Sequence, residues 1–267
     1  SFAVTPRLVH RYPDRVLLLA TDRCFVYCRH CLRRHFTATE ERHLTEDELE
    51  EAAEYVDQHP EVHEVIISGG DALMLPTDKL RAMLSRLRAN RGDVILRVAT
   101  RAPAVAPTRI DDDLAALLGE YQPLWLVSQF NHPAELSEQA TAALRRLAGV
   151  GVPLANQSVL LAGVNDEVAV LERLFRGLLR RGVKPYYLFQ GDLARGTSHF
   201  RVELSRGVEI VAALRKRLSG LAMPTYAVDL PGGGGKVPLT ESYFEREEPD
   251  AYVFRSLEGE EYRYPRE

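Results

Sequence analysis

Val16-Leu17-Leu18-Leu19-Ala20-Thr21, then Asp22-Arg23, then Cys24-Phe25-Val26-Tyr27-Cys28-Arg29-His30-Cys31, is the stretch whose reading decides the fold. Its first six residues are almost wholly apolar, as a strand buried on both faces would be. The run behind them holds all 3 cysteines of the 267-residue chain, spaced C-x3-C-x2-C. Thiolate is a soft ligand that suits iron–sulfur clusters, zinc and copper(I). The odd count and tight spacing exclude a disulfide framework. A four-iron cluster ordinarily takes four cysteines, so three would leave one iron without a protein ligand. A zinc site would need a fourth donor, for which His30 or His35 stands near.

Further candidate strands follow at Val65–Ser68, Val94–Thr100, Trp125–Phe130, Pro153–Val159 and Pro185–Gln190. Helical periodicity separates them at Glu46–Gln58, Asp78–Ala89, Asp111–Glu120, Glu135–Gly149 and Asp166–Arg181, with a last helix at Ser205–Leu218. Alternation of this kind predicts an α/β protein with a parallel sheet and crossover helices. Thr45-Glu46-Asp47-Glu48 reads as a capping box, and Leu44 can staple onto Leu49. The cysteines then lie on a loop at the C-terminal end of the first strand, the end that carries the site in barrel-like sheets. The chain divides into an N-terminal segment 1–15, a barrel part 16–220 and a C-terminal part 221–267. In the last part Tyr252–Arg255 and Glu261–Tyr264 flank Leu257-Glu-Gly-Glu260 and read as a hairpin.

A hydrophobic share of 45% supports one sizeable core. The net charge of -4 gives no reason to expect a nucleic-acid partner. No run of eighteen apolar residues suggests a membrane span, and the expected location is cytoplasmic. The chain opens on Ser1 rather than Met, consistent with a trimmed start.

Only Lys79, Lys184, Lys216 and Lys236 are lysines among 34 basic residues. Lys236 ends the string Asp229-Leu-Pro-Gly-Gly-Gly-Gly-Lys236. Glycines admit close approach of a ligand, and their N–H groups can cradle a phosphate. A nucleotide phosphate loop is excluded, because Leu230 and Val237 stand where that pattern needs Gly and Ser/Thr. The remaining readings are a flexible linker, or an amine able to form a Schiff base with pyridoxal 5′-phosphate (PLP).

The cysteine spacing resembles that of the radical S-adenosyl-L-methionine (SAM) superfamily. With Pro231-Gly-Gly-Gly-Gly-Lys236 the resemblance narrows to the lysine 2,3-aminomutase family. Tyr12-Pro-Asp-Arg15, Ser68-Gly-Gly-Asp71, Phe130-Asn-His-Pro133, Asn156-Gln-Ser158 and Gly163-Val-Asn-Asp166 agree with that family. The resemblance implies an open (βα)6 partial TIM barrel with a short C-terminal extension. It implies a 4Fe–4S cluster on Cys24, Cys28 and Cys31, with SAM on the fourth iron. SAM contacts are implied for His30, Ser68, Gly69, Gly70, Asp71, His132 and Gln157. PLP would bond to Lys236, with Arg15 on its phosphate and Gly232, Gly233, Gly234 and Gly235 around it. Arg33 would clamp the substrate α-carboxylate, a one-residue slip to Arg34 being the alternative. Asp192 and Asp229 would grip an ε-ammonium group.

Plainer readings stand beside these: an ion pair with Asp14 for Arg15, a buried structural role for His132, and a strand-end turn for Asp192. The family's structural zinc uses a cysteine where Glu167 stands here, so no zinc is expected. The N-terminal extension and C-terminal cysteine cluster that help build the family's oligomer are not found, which leaves a possible homo-oligomer. The implied activity interconverts L-lysine and β-lysine by a 1,2-amino shift, with flavodoxin or ferredoxin as electron donor. The alternatives are a related aminomutase on arginine or another amino acid, a radical SAM enzyme with a degenerate PLP site, or a noncatalytic iron–sulfur protein.

Overall fold

The computed structural model describes residues 2–34, 37, 41–240 and 242–266, so His35 lies outside the described residues. A hairpin of β1 (Leu8–Tyr12) and β2 (Arg15–Thr21) opens the chain. Five strands follow, each reached through a helical crossover: β3 (Glu64–Gly69), β4 (Ile95–Thr100), β5 (Leu124–Ser128), β6 (Leu154–Val159) and β7 (Val183–Phe189). The helices are α1 (Glu46–Gln58), α2 (Thr77–Ala89), the single turn α3 (Ala102–Val105), α4 (Asp112–Glu120), α5 (Glu138–Gly149) and α6 (Val168–Leu179). After β7 come α7 (Leu204–Arg215), β8 (Thr225–Leu230) and β9 (Gly235–Pro238).

Strands β1 to β9 lie side by side in chain order. Strands β2 through β8 pair in parallel, and β1 and β9 are antiparallel at the edges. The open (βα)6 partial barrel is therefore present, with β8 as a seventh parallel strand. β1 and β9 are not paired, yet side chains join them. The Tyr12 hydroxyl accepts from the Lys236 N–H at 3.1 Å, and Arg11 Nη2 lies 3.3 Å from Asp229 Oδ1. The sheet thus curls far enough for its two edges to meet.

The core lies between sheet and helices. Val16, Leu18, Ala20, Val65 and Ile67 are buried at alternate strand positions. Leu171, Leu174, Phe175 and Leu178 supply the matching stripe on α6. The capping box at α1 is formed: Thr45 Oγ1 accepts from Glu48 N at 3.2 Å, and Glu48 Oε2 accepts from Thr45 N at 2.8 Å. α5 begins three residues later than its periodicity suggests. Pro133–Glu135 turns as a 3-10 helix, and Ser137 then caps α5 through the Ala140 N–H at 3.1 Å.

The expected C-terminal hairpin is β11 (Ala251–Arg255) with β12 (Glu261–Pro265). β10 (Phe244–Glu247) pairs on its other side and makes a separate three-stranded sheet. No helix among the described residues is long and apolar enough to cross a membrane.

Candidate active site

Most of the sequence-marked residues gather at the C-terminal ends of the parallel strands, where a barrel-like sheet exposes its loops, whereas Arg15 opens β2 at the opposite end. The cysteine loop leaves β2 and is held from beneath by the end of β3. Asp71 N donates to Arg23 O at 2.8 Å, and Gly70 N to Thr21 O at 2.5 Å. This approach requires glycine. A Cβ on Gly69 would stand 2.2 Å from Thr21 O, and one on Gly70 would stand 2.1 Å from Arg23 O. Gly69 also has φ +114°, outside the range of L side chains.

The loop is fixed from the other side by buried charge. Arg7 forks onto Asp22, two residues before the first cysteine, at 2.6 and 3.1 Å. Arg7 Nε also lies 3.5 Å from Glu48, which takes a second fork from Arg42 at 2.7 and 2.8 Å. The backbone of Arg42 closes the loop, its carbonyl accepting from Asp22 N at 2.9 Å. Glu48 is held at about 2 rather than 4.5: the Arg42 hydrogen bonds lower it most, burial pushes back next, and the Thr45 N–H lowers it further.

All three cysteines are free thiols and half-buried. Burial, then Asp71 and the other two thiols, pushes Cys24 up to about 12; burial raises Cys31 as well. Two positive or polar donors already face the sulfurs. Arg101 Nη1 lies 2.7 Å from Cys28 Sγ, and Arg33 N lies 3.3 Å from Cys31 Sγ. Among the described residues no three His, Cys, Asp or Glu side chains converge tightly enough for one metal ion. His30 in particular turns away from the sulfurs. Its Nε2 meets Asn131 Nδ2 at 3.3 Å and Gln129 Nε2 at 3.5 Å, beyond β5. Burial and then Arg101 lower His30 to about 4, which makes it a neutral acceptor near pH 7.

Several expected contact residues already have partners. Asp71 accepts from Thr100 Oγ1 at 2.6 Å, Leu73 N at 3.1 Å and Arg101 N at 2.7 Å, so its carboxylate braces the ends of β3 and β4. Burial nevertheless raises it. Arg33 Nη1 donates to Ser68 Oγ at 2.8 Å and Gly69 O at 2.9 Å. Its neighbour Arg34 points elsewhere, to Arg29 O and Gly196 O. His132 Nδ1 accepts from Ala134 N at 3.1 Å and so caps a turn. Gln157 lies half-buried on β6. Arg101 was not marked by any sequence pattern. It bridges Cys28 to Glu135 at 3.0 Å, and that placement depends on strand adjacency alone.

A second group forms at the far edge of the sheet. Asp229 on β8 faces Lys236 on β9 across an antiparallel pair, with Lys236 Nζ 3.3 Å from Asp229 Oδ2. Three glycines of the intervening run have positive φ: Gly232 at 69°, Gly233 at 89° and Gly235 at 87°. The amine stands 5.7 Å over the Phe189 ring, which stacks on Tyr187 at 4.8 Å. Asp192 joins this group electrostatically. Burial raises its carboxyl, Asp229 raises it further, and Lys236 pulls it back. Asp192 and Asp229 line a cavity of about 240 Å³ together with Gln190, Leu193 and Val228. Gln190 is fixed beneath them by the buried Tyr226 hydroxyl at 2.6 Å and by its own bond to Val202 O at 2.6 Å. Arg15 packs 4.0 Å over Tyr12 and pairs with Asp14 at 2.6 Å, while Arg11 takes the place beside Asp229.

Comparison with known proteins adds to this geometry. The family model of the radical SAM superfamily matches residues 18–174, and that of lysine-2,3-aminomutase matches residues 211–267. The L-lysine 2,3-aminomutase of Fusobacterium nucleatum is 46% identical over 254 residues, which is 95% of this chain and 60% of that enzyme. A protein of Aquifex aeolicus provisionally given the same name is 48% identical over 260 residues, 97% of this chain and 70% of its own. The chain therefore spans 60% of the length of the Fusobacterium relative. A radical SAM methyltransferase from Sphaerobacter thermophilus aligns with a TM-score of 0.58 at 19% identity, covering 85% of this chain and 69% of that one. At that identity the likeness concerns the fold.

Proposed function

The chain belongs to the radical SAM superfamily and, within it, to the lysine 2,3-aminomutase family, and from that premise we propose that it interconverts L-lysine and β-lysine. The observation that carries this reading is the group Asp192, Asp229 and Lys236, set on the same strand ends as the three-cysteine loop. When bound, a 4Fe–4S cluster with SAM supplies one-electron chemistry that takes hydrogen from an unactivated carbon, and PLP supplies a conjugated system through which nitrogen can migrate.

The residues fit those groups. Three half-buried thiols on one loop suit a cluster that takes its protein ligands from cysteine. Cys24, Cys28 and Cys31 hold it. His30, neutral and anchored beyond β5, lies beside SAM, with Ser68, Gly69, Gly70, Asp71, His132 and Gln157 as the remaining SAM-binding residues. The glycine turn suits PLP, because its side-chain-free backbone leads directly to an amine over an aromatic ring. Lys236 is the bonding amine, Gly232, Gly233, Gly234 and Gly235 surround the cofactor, and Arg15 binds its phosphate.

Arg33 is already fixed by Ser68 and Gly69, so its remaining N–H groups can meet an α-carboxylate without reorganisation. Asp229 pushes the Asp192 carboxyl up, Lys236 only partly offsets this, and a terminal ammonium would relieve the like-charge contact. A second carboxylate on the substrate would worsen it, which favours a cationic amino acid over glutamate. A one-electron donor of flavodoxin or ferredoxin type, assembly as a homo-oligomer and a cytoplasmic location complete the proposal.

The test is anaerobic. Protein loaded with iron, sulfide and PLP is given SAM, reductant and L-lysine, and β-lysine is assayed. Turnover with L-arginine but not L-lysine would move the substrate assignment. Lys236→Ala should remove the visible absorbance of the amine-bound PLP and lower turnover by about 10³-fold or more. Persistence of that absorbance would reject Lys236 as the bonding amine.

A further inference from the structure

The cysteine loop carries a charge that none of the roles above uses. Residues 23–34 hold Arg23, Arg29, Arg33 and Arg34 and no Asp or Glu, in a chain whose net charge is -4. Arg33 turns inward to Ser68 and Gly69. The other three are exposed. Between them Val26, Tyr27 and Leu32 remain 41%, 50% and 50% exposed, within seven residues of one another. The loop after β7 extends the same rim. Arg29 Nη2 meets His199 Nε2 at 3.4 Å and its guanidinium stands 5.4 Å from the Phe200 ring, while Arg34 donates to Gly196 O at 3.2 Å. Arg195 on that loop is exposed as well. Glu41 also lies on this rim, holding Tyr27 through its carboxylate at 2.6 Å and Arg23 through its carbonyl at 2.6 Å.

We propose that this face is the docking surface for an acidic one-electron carrier protein, with Val26, Tyr27 and Leu32 at its centre and Arg23, Arg29 and Arg195 at its rim. The proposal rests on the cluster assigned above and identifies where its electron enters. An apolar centre inside a charged rim is the general anatomy of a protein interface. Redox partners meet through small, short-lived interfaces, so a patch of a few side chains is the right scale. Basic charge steers an acidic partner and sets its approach rate. It would repel a cationic amino acid, so the patch is not a funnel for the substrate. The exposed side chains are interspersed in sequence with the half-buried thiols, so a protein seated here lies directly against the loop that carries them. One electron leaves the carrier and enters the oxidised cluster, and no proton or bond is exchanged.

The test compares two reductants on anaerobically reconstituted protein. Cluster reduction is followed by its visible bleaching with reduced flavodoxin, an acidic carrier, and separately with a photoreduced deazaflavin, a small molecule. Flavodoxin binding to the cluster-free protein is measured by titration calorimetry. In Arg23→Glu/Arg29→Glu, flavodoxin-driven reduction should slow by about tenfold or more. Its dependence on salt should flatten, and flavodoxin affinity should fall, while iron content and the deazaflavin rate stay unchanged. Arg195→Glu lies outside the cysteine loop and should give the same pattern more weakly, whatever the double variant does to cluster assembly. Flavodoxin-driven rates within twofold of wild type in Arg195→Glu and the double variant, or equal slowing with both reductants, overturn the proposal. A wild-type protein that assembles no reducible cluster overturns the underlying functional reading instead.

Discussion

The two edges of the sheet hold charge in opposite ways. At the cysteine end, Arg7 and Asp22 pair with side chains only 4% and 3% exposed, and two glycines let strand and loop backbones touch. At the lysine end, Lys236 and Asp229 pair with side chains 39% and 30% exposed, on a turn of glycines. A buried ion pair costs desolvation and is costly to break, whereas an exposed pair is screened and readily exchanged. The cysteine end is thus set before any ligand arrives. The end assigned to PLP and substrate keeps its charges available to partners that come and go.

Breaking the buried end should cost most. Arg7→Met leaves Asp22 buried without its fork and should lower stability by about 3–5 kcal/mol in urea unfolding. A loss below about 1 kcal/mol would place the Arg7–Asp22 pair in the same class as the exposed one. Next come the glycines. Gly70→Ala puts a methyl against Arg23 O and should cost about 2–4 kcal/mol. Gly233→Ala meets only Phe2 at 3.2 Å and must tolerate φ +89°, for about 1–2 kcal/mol. Equal costs would erase the contrast.

Acid sharpens the contrast through Glu48. Its carboxyl is held at about 2 when folded and takes a proton near 4.5 when free. The stabilisation is therefore complete above about 4.5 and drains as the pH falls from there towards 2. Wild type should lose more stability than Glu48→Gln between pH 5 and 3; parallel losses would remove Glu48 from the account. The smallest effect belongs to the C-terminal sheet, where Arg263 pairs at the surface with Glu248 and Asp250. Arg263→Ala should change stability by less than about 1 kcal/mol.

Legibility in the sequence follows the same divide between local and tertiary causes. α1 was readable to the residue because its start is a local capping box. Cys24, Cys28, Cys31 and Lys236 stand out in the sequence because tight spacing and the glycine run mark them locally. α5 was misplaced because the proline turn before it keeps helical periodicity without being α-helix. β10 was invisible: Phe244-Glu-Arg-Glu247 is exposed throughout, and only pairing with β11 makes it a strand. Arg101 was missed because it reaches Cys28 from 73 residues away, through the neighbourhood of β4 and the loop after β2. Arg11 carries no local signal, since nothing around it in the sequence reveals that the curled sheet brings β1 beside Asp229.

The fork from Arg7 has a consequence for how the molecule must be handled. Arg7, which steadies the approach to the first thiol through Asp22, lies ahead of β1 and outside the barrel's repeating units. Loss of Arg7 therefore disturbs the cysteine turn as directly as a change within it. Protein in which Arg7 is replaced should retain iron less firmly than protein that keeps it.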